Sequence, residues 1–281
     1  MNNKLIIKGS LITNGKKWYF GEELYSSVLL SASQSWISNN YSAQGEFLSE
    51  LEPWKRREFG RIKSSIYAYV SDLHGISINY CLLREVSENN DIDVHKRNLY
   101  AEQLLEQYFT VIRSLYDHLT GVIKIILSDK NLKEFPETNS LNRIIRFSKK
   151  KTNEDKLPNR IKQFLINVEP DLSDIRIIRD SIIHKGKEIL VRRSDKGLFI
   201  RIPKKEPFGT DTILPNVLNS NSYEYPLESY LRKITKSFFR NSEDLGVIVL
   251  TEMLEREKFN WHLHSITNYC MEDFTKFILE Y

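Results

Sequence analysis

The chain is poor in cysteine, since its 281 residues include only Cys81 and Cys270. Two cysteines so far apart give neither the close spacing of a metal site nor a disulfide framework, and they are typical of buried apolar side chains in a reducing compartment. No apolar run approaches the roughly 18 residues of a membrane span, and residues 1–9 lack the long apolar core of a signal peptide. These absences argue against a disulfide-stabilised secreted domain and a helical membrane protein, and we expect a cytoplasmic protein.

Net charge is also low. The 41 lysines and arginines exceed the 37 acidic residues by only four, and the pI is near 8.8. Any contact with a polyanion must therefore come from local clusters of basic residues rather than from the total charge. A hydrophobic fraction of 41% and a charged fraction of 28% are typical of an ordinary folded protein, and the length suits one large domain.

Strand-forming residues at Leu5–Thr13 and Lys16–Phe20 flank Asn14-Gly15, which predicts a tight N-terminal β-hairpin. Apolar residues at helical spacing predict helices at about 22–37, at about 59–73 and at about 104–126, the last being the most regular. Gly75 is expected to kink or end the second of these helices.

The second half of the chain predicts a short helix at Arg160–Ile166 and a further helix capped by Asp171 or Ser173. Strand formers on either side of Ser194-Asp195-Lys196-Gly197 predict another hairpin, followed by an irregular connection over residues 203–225. Two more helices are expected at about 227–255 and 263–279. The predicted fold is mainly α, an antiparallel helical bundle with a β-hairpin at the N-terminus and another after residue 189.

We expect residues 1–50 to form a hairpin and helix that pack on the bundle. Residues 51–281 would then form the helical domain, with an irregular segment at about 190–226.

An arginine followed a few residues later by a histidine occurs three times in the sequence. Arginine binds phosphate and histidine moves protons near neutral pH, so each pair is a candidate for phosphodiester chemistry. Arg113 precedes His118, but a helical projection places Arg113 on the solvated side, four residues before Asp117, and places His118 at the edge of the apolar stripe. The second pair, Arg256 and His262, straddles a predicted helix end.

Arg179 and His184 form the third pair. Ile175, Ile178, Ile182 and Ile183 flank Arg179 on the projection, so its guanidinium leaves an apolar face and requires either an acid on a neighbouring helix or a bound phosphate. His184 projects about 140° away from Arg179 on a regular helix. One substrate could reach both only if the helix distorts near Lys185-Gly186 or if a second copy of the chain completes the site.

Arg179 is followed by the polar Asp180, three further residues and His184, on a late helix of a predicted bundle. This order resembles the motif of the HEPN superfamily, in which a polar residue, commonly Asn, Asp or His, follows the arginine and precedes the histidine. Residues 115–119 are similar to the long helix that precedes the motif helix in such bundles. The resemblance covers about residues 95–190.

The resemblance implies a metal-independent endoribonuclease that works as a homodimer with a composite site and needs no cofactor. The 2′-hydroxyl of RNA would attack the adjacent phosphate and leave a cyclic phosphate and a free 5′-hydroxyl. His184 would move the proton, Arg179 would stabilise charge on the phosphate oxygens, and Asp180 would orient the catalytic side chains. It also implies a role in toxin–antitoxin or antiphage systems, with an antitoxin or other regulatory protein as a partner.

Basic residues near the motif are candidates for binding the RNA backbone. They are Arg176, Lys185, Lys187, Arg192 and Arg193. The alternative is a non-catalytic helical interaction module in which Arg179 only holds the core together.

Overall fold

The structure is a computed structural model that describes residues 5–13, 16–20, 27–40, 51–185, 189–194, 197–201, 214–221, 224–255 and 264–279. The prediction of a mainly helical fold is confirmed. The helices are α1 (Ser27–Asn40), α2 (Pro53–Glu88), α3 (Val94–Lys124), α4 (Asp129–Glu134), α5 (Leu141–Ser148), α6 (Asn159–Lys185), α7 (Leu227–Leu254) and α8 (Glu272–Leu279). The strands are β1 (Leu5–Thr13), β2 (Lys16–Phe20), β3 (Leu190–Ser194), β4 (Gly197–Arg201), β5 (Glu224–Pro226) and β6 (His264–Met271).

Helices α2 and α3 run antiparallel along most of their length. Lys124 Nζ lies 3.1 Å from a Glu58 carboxylate oxygen near the start of α2, and His118 Nε2 lies 3.0 Å from Asp72 one and a half turns earlier in α3. A short connection between two long helices with facing apolar stripes produces this hairpin of helices. At Gly121 the two helices approach so closely that a β-carbon would lie 2.5 Å from the Cβ of Ser65.

Helix α6 runs antiparallel to α7. Asn241 Nδ2 of α7 donates to Asp171 Oδ2 of α6 at 2.8 Å, and Arg160 NH1 near the start of α6 lies 3.2 Å from Glu252 near the end of α7. Together α2, α3, α6 and α7 form a bundle of four long helices, around which the other helices are arranged.

The centre of the bundle is aromatic. Tyr108 of α3 hydrogen-bonds Thr235 of α7 at 2.6 Å, and Tyr116 accepts from Asn241 Nδ2 at 3.2 Å. The ring of Phe238 lies edge-on to Tyr116, with 4.9 Å between the centroids. These tyrosines lie fully inside the protein, where each hydroxyl requires a polar partner. Side chains of α7 supply the partner for both.

Helix α1 packs against α7 through a close backbone approach. A β-carbon on Gly246 would lie 2.3 Å from the backbone nitrogen of Leu29, and the backbone N–H of Val28 donates to Glu243 Oε2 at 2.9 Å. Farther along α1, the rings of Trp36 and Phe59 meet edge to face with centroids 5.1 Å apart.

Two antiparallel three-stranded sheets accompany the helices, with the strand orders β2-β1-β6 and β3-β4-β5. In the first sheet Leu5 pairs with Met271, so the central strand β1 joins the two ends of the described chain. In the second sheet the β3 backbone is tied to α3, because the N–H of Val191 donates to Glu102 Oε1 at 3.2 Å.

Both predicted hairpins are confirmed, although the turn residues 14–15 and 195–196 lie outside the described residues. Residues 214–221 have the irregular backbone expected there, whereas β5 adds an unpredicted third strand. The predicted helix at about 263–279 is wrong over its first half. Residues 264–271 form β6 because backbone pairing with β1 outweighs their local helical spacing.

Two predicted helix ends are also wrong. Helix α2 continues through Gly75, since a single glycine lowers helix stability but does not stop a helix whose apolar face is buried. Pro170 lies inside α6 on its solvent side, and the helix is held across it by the buried Val168 and Leu172. Asp171 therefore caps no helix and instead binds Asn241.

Along the described residues, no helix combines the length and apolar character needed to cross a membrane.

Candidate functional site

The predicted motif, Arg179 to His184, lies in about the last two turns of α6. Ile175 and Ile178 are buried, and Ile182 is half-buried against the core, so this side of α6 is fixed to the bundle. Arg179 lies at the edge of this apolar face, and 35% of its side chain remains exposed. The sequence predicts that Arg179 leaves the middle of an apolar face, whereas the structure places it at the edge of that face, where the guanidinium reaches solvent.

A charged cluster surrounds Asp180. Arg176 Nε donates to Asp180 Oδ2 and Arg179 NH1 donates to Asp180 Oδ1, both at 3.1 Å. One carboxylate therefore binds two guanidinium groups through different oxygens. The Arg176 pair has the i,i+4 spacing that brings side chains together on one face of a helix, whereas the Arg179 pair joins consecutive residues.

The two arginines lower the pKa of Asp180. Partial burial raises the pKa of this carboxyl, but the hydrogen bonds and positive charges of Arg179 and Arg176 outweigh burial and hold its pKa below the usual value of 3.8. Asp180 is therefore an ionised acceptor at neutral pH. It can orient the guanidinium groups but cannot donate a proton to a leaving group.

His184 lies in the last turn of α6, one residue before the helix ends at Lys185. The side chains of both residues lie outside the part of the chain that the structure describes, as does all of Lys187. The structure therefore brings Arg176, Arg179 and Asp180 together and fixes the helical register in which residue 184 follows them.

Arg192 and Arg193 lie on β3 and extend to different partners. Arg192 NH1 lies 3.1 Å from Glu224 of β5, whereas Arg193 NH1 donates to the backbone carbonyl of Ser87 at 2.6 Å. Successive residues of a strand point to opposite faces of a sheet, so these two arginines cannot bind one phosphate together. The predicted RNA-binding set is thus divided between α6 and the two faces of β3.

The competing pair Arg113 and His118 is engaged in helix packing. Arg113 NH1 lies 2.6 Å from Asp117, which confirms the predicted ion pair, but its side chain is only 11% exposed, so the prediction of a solvated arginine is wrong. Asp117 also accepts the backbone N–H of Leu141 at 2.9 Å, and this contact covers the pair.

His118 has the partners of a packed histidine. Its Nε2 lies 3.0 Å from Asp72 Oδ2 and 3.1 Å from Ser114 Oγ. A Ser-His-Asp triad needs the serine and the acid on opposite ring nitrogens, so these three side chains do not form one. The other competing pair, Arg256 and His262, lies outside the described residues.

Sequence reasoning missed the residues that connect β3 to the bundle, namely Glu102 and the carbonyl of Ser87. Both contacts join residues about ninety or more positions apart, and no local pattern marks them. Arg176 as a partner of Asp180 could have been found, because an arginine four residues before an aspartate is a common helical ion pair.

Over the described ranges, no group of three or more histidine, cysteine, aspartate or glutamate residues is placed to hold a metal ion. The chain matches no protein-family model, no curated protein and no solved structure.

Proposed function

We propose that the protein is a metal-independent endoribonuclease of the HEPN type. The observation that carries the proposal is the partly exposed Arg179 guanidinium, fixed by the ionised carboxylate of Asp180 one turn before His184. An arginine oriented in this way at a protein surface is suited to binding a phosphate, because its planar fork matches the phosphate oxygens.

The three residues would divide the chemistry. His184 would transfer protons between the 2′-hydroxyl, water and the leaving 5′-oxygen, because histidine titrates close to neutral pH. Arg179 would stabilise the charge that develops on the phosphate oxygens. Asp180, with its lowered pKa, would remain an acceptor and hold Arg179 and Arg176 in place.

We further propose that the active form is a homodimer joined through α6. Ile166 and Ile177 are exposed on α6, by 56% and 45%. They are eleven residues apart, and position 184 follows Ile177 by seven, so a regular helix places all three on one face. A second copy packed on this face would bring the two positions 184 together, and each Arg179, which projects about 160° away from Ile177 on a regular helix, would have to extend around α6 to complete a composite site. An antitoxin or other regulatory protein is a further partner that this proposal implies.

Cleavage of RNA in EDTA tests the proposed reaction. We expect purified protein to cut single-stranded RNA without added metal, to leave 2′,3′-cyclic phosphate and 5′-hydroxyl ends, and to leave DNA of the same sequence intact. DNA has no 2′-hydroxyl to act as the nucleophile. We expect Arg179→Ala and His184→Ala each to reduce the rate by at least about a hundredfold.

The matched control is His118→Gln, since His118 also follows an arginine by five residues but is held by Asp72 and Ser114. This variant should cleave RNA at the wild-type rate. Equal cleavage of DNA, or full activity of His184→Ala, would contradict the proposal.

A non-catalytic interaction module is the second candidate, and the observation that favours it is the pairing of Asp180 with Arg176 and Arg179. Such a network can serve the helix alone. In that case Arg179→Ala would lower the unfolding temperature, and neither it nor His184→Ala would alter any reaction with RNA. Circular dichroism melting of both variants, read beside the cleavage assay, distinguishes the two functions.

A further inference from the structure

A cavity of about 420 Å³ lies at the end of the bundle where α2 ends and α7 begins. The β3–β4 hairpin forms its third wall through Arg193, Gly197 and Leu198. This volume lies in the range of small-molecule sites in proteins. The cavity is separate from the cluster around Asp180, none of whose residues lines it.

One part of the cavity wall is apolar. Leu83 of α2, Leu198 of β4, and Leu227 and Leu231 of α7 all face it. Three of these leucines are buried, and Leu198 is half-buried against the core. Aliphatic side chains on three different elements give the cavity a surface that fits the apolar or aromatic body of a ligand.

The charged part of the wall has two arginines and two acids. Arg84 has acidic partners, with Glu88 at 3.3 Å and Asp273 at 3.6 Å. The second acid, Glu228, accepts the Tyr80 hydroxyl at 3.2 Å, and its carboxylate also lies 3.5 Å from Arg232. Both acids that line the cavity therefore already have partners on neighbouring residues.

Arg193 differs from the other arginines of this region. It donates to the carbonyl of Ser87 at 2.6 Å, and among the described residues no carboxylate lies within ion-pair distance of it. Arg192, the preceding residue on the same strand, lies 3.1 Å from Glu224. A guanidinium that lines a cavity without an acidic partner leaves donors for an anion from solution.

The first turn of α7 places both backbone N–H groups and the carboxylate of Glu228 beside Arg193. Leu227, Glu228 and Ser229 line the cavity, and Pro226, directly before the helix, provides no side-chain hydrogen bond to cap it. Backbone N–H groups at the start of a helix have no partner within the helix and favour an anion.

We propose that this cavity binds a small organic phosphate of about the size of a nucleoside monophosphate. The phosphate would bind Arg193 beside the first turn of α7, and the organic body would lie against the leucines. This site does not depend on the proposed cleavage of RNA, and its ligand would be a free molecule.

Isothermal titration calorimetry of the full chain tests the site with AMP, GMP, CMP and UMP, and with inorganic phosphate and adenosine as separate probes. We expect at least one nucleoside monophosphate to bind with one-to-one stoichiometry. Inorganic phosphate and adenosine should bind at least about tenfold more weakly, since each offers only one half of the recognition.

Two variants of adjacent residues make the result specific. Arg193→Gln should weaken binding by about tenfold or more, because it removes a charge-assisted hydrogen bond, whereas Arg192→Gln on the opposite face of β3 should bind as wild type. Leu198→Trp would fill the cavity and should abolish binding without touching an arginine. Circular dichroism verifies that each variant is folded.

The proposal is overturned if no monophosphate binds at millimolar concentration, or if Arg192→Gln weakens binding as much as Arg193→Gln. It is also overturned if inorganic phosphate binds as tightly as the nucleotides, because the apolar wall would then contribute nothing. Loss of binding in Leu198→Trp with normal RNA cleavage would support a separate site.

Discussion

Asp180 is held between two guanidinium groups on consecutive turns of α6, and this arrangement makes its ionisation sensitive to either arginine. We expect Arg179→Gln to raise the pKa of Asp180 toward its usual value, because one hydrogen bond and one positive charge are lost. Carboxyl carbon chemical shifts followed by NMR over pH 2–6 would measure the change. An unchanged titration in the variant would show that Arg179 does not hold this carboxylate.

The same pairing makes a pH-dependent contribution to stability. The folded state lowers the pKa of Asp180, so its pairing stabilises the protein at pH values above the unfolded pKa near 3.8. That contribution is lost as the pH falls through the lower pKa of the folded state. Arg179→Gln should therefore lose less stability than wild type when the protein is taken from pH 5 to pH 2.

Lys124 and Glu58 form a buried ion pair between α2 and α3, and its two halves are not equivalent. Only 5% of the Lys124 side chain is exposed, whereas Glu58 also binds Arg61 at 2.7 Å. We expect Glu58→Gln to destabilise the fold by about 3 kcal/mol, because it leaves a buried cation without its acid. Lys124→Met should cost less, since Glu58 retains Arg61.

Urea unfolding of both variants measures the asymmetry. Lys55→Met is the matched control, because Lys55 pairs with the exposed Asp129 and its loss should cost under about 1 kcal/mol. Equal destabilisation by all three substitutions would contradict the assignment of Lys124 as a cation dependent on Glu58.

At the scale of elements, the close approach of α1 and α7 at Gly246 is the most sensitive packing contact. Gly246→Ala would place a methyl group 2.3 Å from the backbone nitrogen of Leu29, and backbone atoms cannot rotate away as a side chain can. We expect a loss of about 3 kcal/mol from this overpacking. Thermal unfolding monitored by circular dichroism would measure it.

Gly75→Ala is the control for that measurement. No atom lies within 4 Å of a β-carbon at this position of α2, so alanine should stabilise the helix by up to about 1 kcal/mol. If Gly246→Ala were as stable as Gly75→Ala, α1 could not lie against α7 as described.

Elements formed by contacts between residues close in sequence could be predicted, whereas elements formed by contacts between distant residues could not. The first hairpin needs only Asn14-Gly15 and two flanking runs of strand formers, so the sequence predicts its strands to the residue. Strand β6 pairs with β1 more than 250 residues earlier, and local spacing indicated a helix there instead. Polar residues near position 171 predicted a break after residue 166, but packing of α6 against the bundle carries the helix through Pro170.

The same distinction between local and distant contacts applies to the candidate site. The order of Arg179, Asp180 and His184 and the pairing of Arg176 with Asp180 follow from residues within one helix. The separation of Arg192 from Arg193 depends on Glu224 and on the carbonyl of Ser87, which the fold brings from elsewhere. Because Arg192 and Arg193 are neighbours in sequence, they were expected to bind RNA together. The geometry of β3 instead directs their side chains to opposite faces of the sheet.

For the whole molecule, the proposed dimer gives a prediction about assembly. Ile177→Glu puts a charge on the exposed face of α6, where it should prevent a second copy from packing without disturbing the buried face. We expect sedimentation velocity to show a dimer for wild type and a monomer for this variant, with RNA cleavage reduced in proportion. Leu254→Glu, on an exposed position of α7, is the control and should leave the dimer intact.

A monomeric wild-type protein that still cleaves RNA would contradict the dimer while leaving the proposed chemistry in place. A dimer that does not cleave RNA would contradict the proposed chemistry while leaving the proposed dimer in place. The two parts of the proposed function therefore fail separately.

The pairing of β1 with β6 also has a consequence for synthesis. Register partners such as Leu5 and Met271 are separated by more than 250 residues of translation, so the first sheet cannot be completed until β6 has emerged. During that interval the β1–β2 hairpin exposes the edge of β1 that will later bind β6, and unpaired strand edges are sites of aggregation. Yield from a translating cell should thus depend on how quickly β6 is synthesised after β1, more than on the stability of the finished bundle.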